Sequence, residues 1–121
     1  MVSSTTVRPL NSLLVISDRD GGTPPVPVRG KLILSTNSCI TVGCTSEQDG
    51  PTEVTLGRVR EVDPHHGPSF DGELATPTGI VTISTVDGEI VLEEGVSTSS
   101  VRVRIWLNHS RWPDKVIVGL G

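Results

Sequence analysis

Ser99-Ser100-Val101-Arg102-Val103-Arg104-Ile105-Trp106-Leu107 alternates without a break: Val101, Val103, Ile105 and Leu107 fall on one face of an extended chain, and Arg102, Arg104 and Trp106 on the other. Such a period-2 pattern describes a strand with one face in a core and one face toward water. Downstream, Trp112-Pro113-Asp114 cannot continue a strand, because proline restricts the residue before it, and Lys115–Leu120 then resumes as an apolar run. Residues 99–120 therefore read as a closing hairpin.

Working outward, strand-like runs recur at Ser12–Ser17, Gly30–Ser35, Cys39–Cys44, Thr52–Val62, Gly72–Thr76, Ile80–Val86 and Glu89–Leu92. No stretch of 11 or more residues carries a 3.6-residue apolar period, so no helix longer than about two turns is expected. Asp87-Gly88 between two of these runs suits a two-residue type I′ turn. Thr76-Pro77-Thr78-Gly79 reads as the turn before it, making Gly72–Leu92 a three-stranded meander. In Thr52–Val62, Val54 and Leu56 differ in phase from Val59. A bulge at Gly57 would restore the alternation and leave Arg58 and Arg60 facing outward.

The composition agrees with this reading. Among 121 residues there are 13 Gly and 9 Pro, which suit turns and oppose helices, and the aromatic share is only 2%, which calls for an aliphatic core. The length fits one domain spanning 1–121, and about eight or nine short strands fit an all-β, antiparallel β-sandwich, with a barrel as the weaker alternative.

Ten basic against fourteen acidic side chains give a formal charge of −4, which disfavours nucleic acid as a partner. No apolar run approaches the roughly 18 residues that span a bilayer, and no signal-like start is present, so no membrane association and a cytoplasmic location are expected. Cys39 and Cys44 would lie about 16 Å apart on one strand, at roughly 3.3 Å per residue, and are expected to be free thiols.

Chemical motifs are sparse. Asp18-Arg19-Asp20-Gly21-Gly22 places carboxylates two apart in a loop, but the further oxygen ligands of a calcium loop are absent, and position 29 is Arg where an EF-hand has Glu. His65 and His66, with Asp63 and Asp71 nearby, have zinc-ligand chemistry without the spacing of a ligand set. No G-x-S-x-G elbow, phosphate loop or paired-carboxylate arrangement stands out, so neither catalysis, metal nor cofactor is expected. Arg and Trp are the residue types most enriched at binding hot spots, which makes Arg102, Arg104 and Trp106, extended by Arg58 and Arg60, the candidate interaction face. The competing reading pairs these arginines with acids on neighbouring strands and lays Trp106 over a sheet.

Val101-Arg102-Val103-Arg104-Ile105-Trp106, followed by Trp112-Pro113-Asp114-Lys115-Val116-Ile117-Val118, resembles the ending of bacterial proteins of the competence protein J family. The resemblance covers the last third of the chain. It implies a β-sandwich and, for the characterised type, inhibition of a partner nuclease by protein contact; it carries no residue role across. The expected function is a noncatalytic β-sandwich that binds another protein as an inhibitor, immunity or accessory protein. The alternatives are a cation- or carbohydrate-binding module using the Asp18–Gly22 or Asp63–Asp71 loop, and a structural subunit of an assembly.

Overall fold

In the computed structural model, which describes residues 2–121, the strands in chain order are β1 (Ser3–Val7), β2 (Leu13–Asp18), β3 (Ile33–Ser35), β4 (Cys39–Gly43) and β5 (Thr52–Arg58). A single helical turn, α1 (Val59–Val62), follows, and then β6 (Phe70–Ala75), β7 (Ile80–Thr85), β8 (Ile90–Gly95), β9 (Ser100–Leu107) and β10 (Lys115–Leu120). One sheet has the order β1-β5-β10-β9-β6 and the other β3-β4-β2-β7-β8. All pairings are antiparallel except β5 with β10, which run parallel.

The two sheets meet through an aliphatic core. Val54, Leu56, Leu74, Val101, Val103, Ile105, Val116, Val118 and Leu120 come from the first sheet, and Leu14, Ile16, Ile40, Val42, Val81 and Ile83 from the second. The alternation in residues 99–107 holds, with Val101, Val103 and Ile105 in the core. Cys39 and Cys44 are buried and unbridged. Five positions apart on an extended chain, they fall on opposite sides of their sheet, and Cys44 alone joins the core cluster.

Several local expectations are corrected. Gly72–Leu92 is not a meander: β6 pairs with β9 in the first sheet, whereas β7 pairs with β2 and β8 in the second. The Thr76–Gly79 turn carries the chain across, because Thr78 is held by Asp18 at the end of β2, the neighbour of β7. The Asp87-Gly88 turn is not type I′, since Gly88 alone has positive φ, +89°. Gly88 N–H donates to the Thr85 carbonyl and Thr85 N–H to the Glu89 carbonyl, both at 3.0 Å, a three-residue loop closed by a glycine bulge. β1, at one edge of the first sheet, has no counterpart among the expected strands.

Thr52–Val62 is likewise not one bulged strand. β5 stays in register with β10 through Gly57 opposite Gly119, ends at Arg58, and gives way to α1. Both glycines lie on the outer face, where a side chain has no room. A Cβ on Gly119 would stand 2.8 Å from Val59 Cγ2 and 3.1 Å from Trp106 Cζ3, and one on Gly57 2.9 Å from Val62 Cγ1. Paired glycines thus hollow the sheet surface, and Val59 and Val62, three positions apart on one side of the turn, settle into it. The phase change at Val59 marks this helical turn.

Candidate interaction face

β9 presents Arg102, Arg104 and Trp106 on the outer face of the first sheet, as the alternation requires. Their surroundings differ from a free binding row. Trp106 is only 3% exposed. Its ring lies beside the Gly119 hollow next to Val59 and Val62, and its indole N–H donates to the His66 carbonyl at 2.9 Å. The His65-His66 loop is held in turn by Asp63, whose carboxylate accepts the His65 N–H at 2.7 Å, with His65 at φ 68°. Those histidines belong to a clasp over Trp106. Among the described residues no three His, Cys, Asp or Glu side chains are grouped to hold a metal.

Arg102 forms a two-pronged pair with Asp71 on β6, Nε to Oδ1 at 2.8 Å and a terminal nitrogen to Oδ2 at 2.5 Å. The hydrogen bonds from Arg102 hold the Asp71 carboxyl below the usual carboxylate range. Arg104 stands opposite Asp71 in register, is half-buried, and reaches the Gly121 carbonyl at 3.4 Å; its Nε is buried without a partner.

Arg58 departs from the expected row. Opposite core-facing Leu120, it points between the sheets at their end, donating to the Gly95 carbonyl at 2.9 Å with Nε 4.0 Å from Glu94. Arg60 is exposed on α1 rather than on a strand. Even so, Arg58 and Arg60 border one surface depression with Val59, Leu120 and Gly121, and Arg104 contacts the same Gly121. The fold gathers three arginines around the end of β10, sets Arg102 with Asp71 beside them, and buries Trp106.

An exposed tryptophan stands elsewhere. Trp112 is 64% exposed in the β9–β10 loop. His109 Nδ1 accepts the N–H groups of Arg111 and Trp112 at 3.1 and 3.0 Å, and Asn108 Oδ1 accepts those of Asp114 and Lys115 at 3.1 and 3.0 Å. The ring is therefore presented on an ordered loop. In the sequence, Trp112-Pro113-Asp114 signals only a turn; the side-chain acceptors Asn108 and His109 just before it are the clue to the loop's order.

The remaining titratable candidates serve the fold. Asp18 is 1% exposed, and its carboxylate accepts from Asp20 N–H at 3.0 Å, Thr78 N–H at 3.0 Å and the Thr78 hydroxyl at 2.9 Å. Burial would raise its pKa, but these bonds, with one from the Ile80 backbone, outweigh it and hold the carboxyl below its ordinary 3.8. Both oxygens already face donors, which is the opposite of a cation loop. Burial pushes the Cys44 thiol up to about 11 and raises Cys39 as well. Neither is an activated nucleophile at neutral pH.

No protein-family model matches the chain, and no curated protein matches it in sequence. Among solved structures, the chain superposes on ComJ from Bacillus subtilis, described as an inhibitor of the DNA-degrading activity of NucA, with a TM-score of 0.69 over 99% of this chain and 97% of that one. The fold is shared with ComJ. Sequence identity is 10%, so the likeness that the closing hairpin displays extends to the whole sandwich at the level of backbone architecture. A second solved structure, crocagin biosynthetic gene J, matches with a TM-score of 0.60 and 13% identity over 99% of this chain and 96% of that one. No helix among the described residues is long and apolar enough to cross a membrane.

Proposed function

We propose that this chain works without catalysis, as a single β-sandwich unit that binds another protein in the manner of an enzyme inhibitor. The observation that carries this reading is the ComJ-like fold over the full length, because ComJ is an inhibitor of a nuclease. Three features of the chain support it. The buried ionisable groups, Asp18 and the two thiols, are engaged or held protonated by the fold. The arginines at the end of β10 offer fixed positive charge for carboxylates on a partner. The same residues suit contact with an acidic surface better than contact with DNA, given the net charge of −4. We assign Arg60, Arg104 and Arg102 to the contact, Arg58 to the rim, and Trp106 to support beneath it.

The test is affinity capture from the native host with the intact chain and with an Arg60→Glu/Arg104→Glu double variant, followed by assay of the captured enzyme against increasing chain. Nuclease activity is the first to measure. Stoichiometric inhibition that the double variant loses supports the reading. Capture that is indifferent to the variant removes the arginine face, and a partner whose activity is unchanged at saturation removes the inhibitory role.

A further inference from the structure

β2 is apolar at every position of Leu13-Leu14-Val15-Ile16. Leu14 and Ile16 enter the core between the sheets, so alternation turns Leu13 and Val15 to the outer face of the second sheet, where an antiparallel sandwich ordinarily meets water. The apolar character continues across that face. Val15 is in register with Thr41 on β4, and Thr41 with Leu34 on β3; Leu13 is in register with Gly43. Leu32 leans over Gly43, where an added Cβ would stand 3.0 Å from Leu32 Cδ2. Leu13, Val15, Leu32 and Leu34 are each half-buried, a second apolar patch outside the core.

The segment that joins β2 to β3 passes over this patch. Thr23-Pro24-Pro25-Val26-Pro27-Val28 is stiff, because each proline fixes its own φ near about −65° and restricts the residue before it. Both ends are tied down. Thr23 N–H donates to Ser38 Oγ at 2.9 Å, the Thr36 hydroxyl donates to the Thr23 carbonyl at 2.7 Å, and Lys31 N–H donates to the Val28 carbonyl at 3.2 Å. Between these anchors a cavity of about 550 Å3 separates the strap from the sheet, with Pro24, Pro25, Pro27 and Val28 on one side and Leu13, Val15 and Leu34 on the other. A flexible connection would settle onto the patch and fill the space, as interiors ordinarily do; a stiff, twice-anchored one holds it open.

The cavity falls within the roughly 300–1,000 Å3 of small-molecule sites, which pair apolar walls with a few polar groups. Among the described residues that line it, only Thr41 and Lys31 have polar side chains. Thr41 is buried in the sheet, and Lys31 is exposed where the strap ends. Charge in this region has one sign: residues 21–46 include Arg29 and Lys31 and no acid. Asp87, which follows the lining residue Val86, already accepts from the Thr85 hydroxyl.

We propose that the cavity binds a small anionic amphiphile, an unbranched aliphatic carboxylate whose chain lies between strap and sheet and whose headgroup meets Lys31. The apolar walls suit a hydrocarbon chain, which needs no hydrogen-bond partners. A peptide would carry N–H and C=O groups into a space with almost nothing to bond them. The single lining cation selects the sign of the headgroup and fixes the end at which it sits. This site is on the opposite sheet from the arginine face and does not depend on the inhibitory role.

The test is titration of the intact chain, with 13C-labelled methyl groups, by decanoate below its aggregation point, beside octanoate and decyltrimethylammonium. Decanoate is expected to give saturable shifts at the Leu13, Val15 and Leu34 methyls, while Val54 and Val118, in the core on the other sheet, hold still. Octanoate, two buried methylenes shorter, should bind roughly tenfold more weakly. Lys31→Glu should weaken decanoate by roughly tenfold or more and strengthen the ammonium. Lys31 is exposed, so its variant should keep the parent's core methyl spectrum and read out binding alone. Absence of saturable shifts at low millimolar decanoate would overturn the proposal, as would shifts spread to exposed Val2 and Ile90. Equal affinity for octanoate, equal affinity of the parent for the ammonium, or indifference to Lys31→Glu would do the same.

Discussion

Asp18 and Trp106 are residues whose types suggested a ligand and whose surroundings show a structural duty. Because hydrogen bonds hold the Asp18 carboxyl below its ordinary 3.8, its contribution to stability is complete above the unfolded pKa and is lost as pH falls through the folded value. The intact chain should therefore exceed Asp18→Asn in thermal midpoint at neutral pH, with the gap closing below about pH 4; a gap independent of pH would contradict the assignment. Asp18→Ala, which strands the Thr78 and Asp20 donors, should cost about 1–3 kcal/mol by urea unfolding. Trp106→Ala removes a buried ring and the bond to His66, at a cost of about 3–5 kcal/mol. Arg102→Ala, on an exposed pair, should leave the midpoint nearly unchanged. A Trp106→Ala chain as stable as the parent would return that ring to the contact surface.

At the scale of elements, the strands that sequence revealed are those whose alternation is self-sufficient. β9 and β10 were legible because Val101, Val103 and Ile105, and then Val116, Val118 and Leu120, mark one buried face. β1 was not, since Ser3-Ser4-Thr5-Thr6-Val7 has almost no apolar contrast and owes its place to pairing with β5. The crossover after β6 was hidden because its cause is a bond between residues 18 and 78. The arginine row was half legible for the same reason: period 2 sets Arg102 and Arg104 on one face, but only the fold shows that α1 covers Trp106 and that Arg58 turns inward. The β9–β10 loop gives a direct test. Asn108→Ala deletes the acceptor shared by Asp114 and Lys115 and the bond to the Asp114 carboxylate, so those two amides should exchange hydrogen faster while amides within β10 stay protected. Unchanged exchange at Asp114 and Lys115 would mean that the loop is ordered by other contacts.

For the whole molecule, the connection pattern governs how the chain finds its fold. β5 is flanked by β1 and β10, so the first, middle and last segments must meet before the first sheet exists. Loop closure over such spans precedes the contacts that reward it, and refolding should be slow, in roughly the millisecond-to-second range of sandwiches. Stopped-flow circular dichroism in the β region would check this; completion within microseconds would be incompatible with the topology. The two tryptophans add an optical consequence. Trp106 is shielded under α1, and Trp112 stands in solvent on an ordered loop. The native chain should thus emit from a blue-shifted fluorophore that iodide does not reach and a red-shifted one that it quenches. Unfolding is read in the first and the order of the β9–β10 loop in the second, without any label being attached.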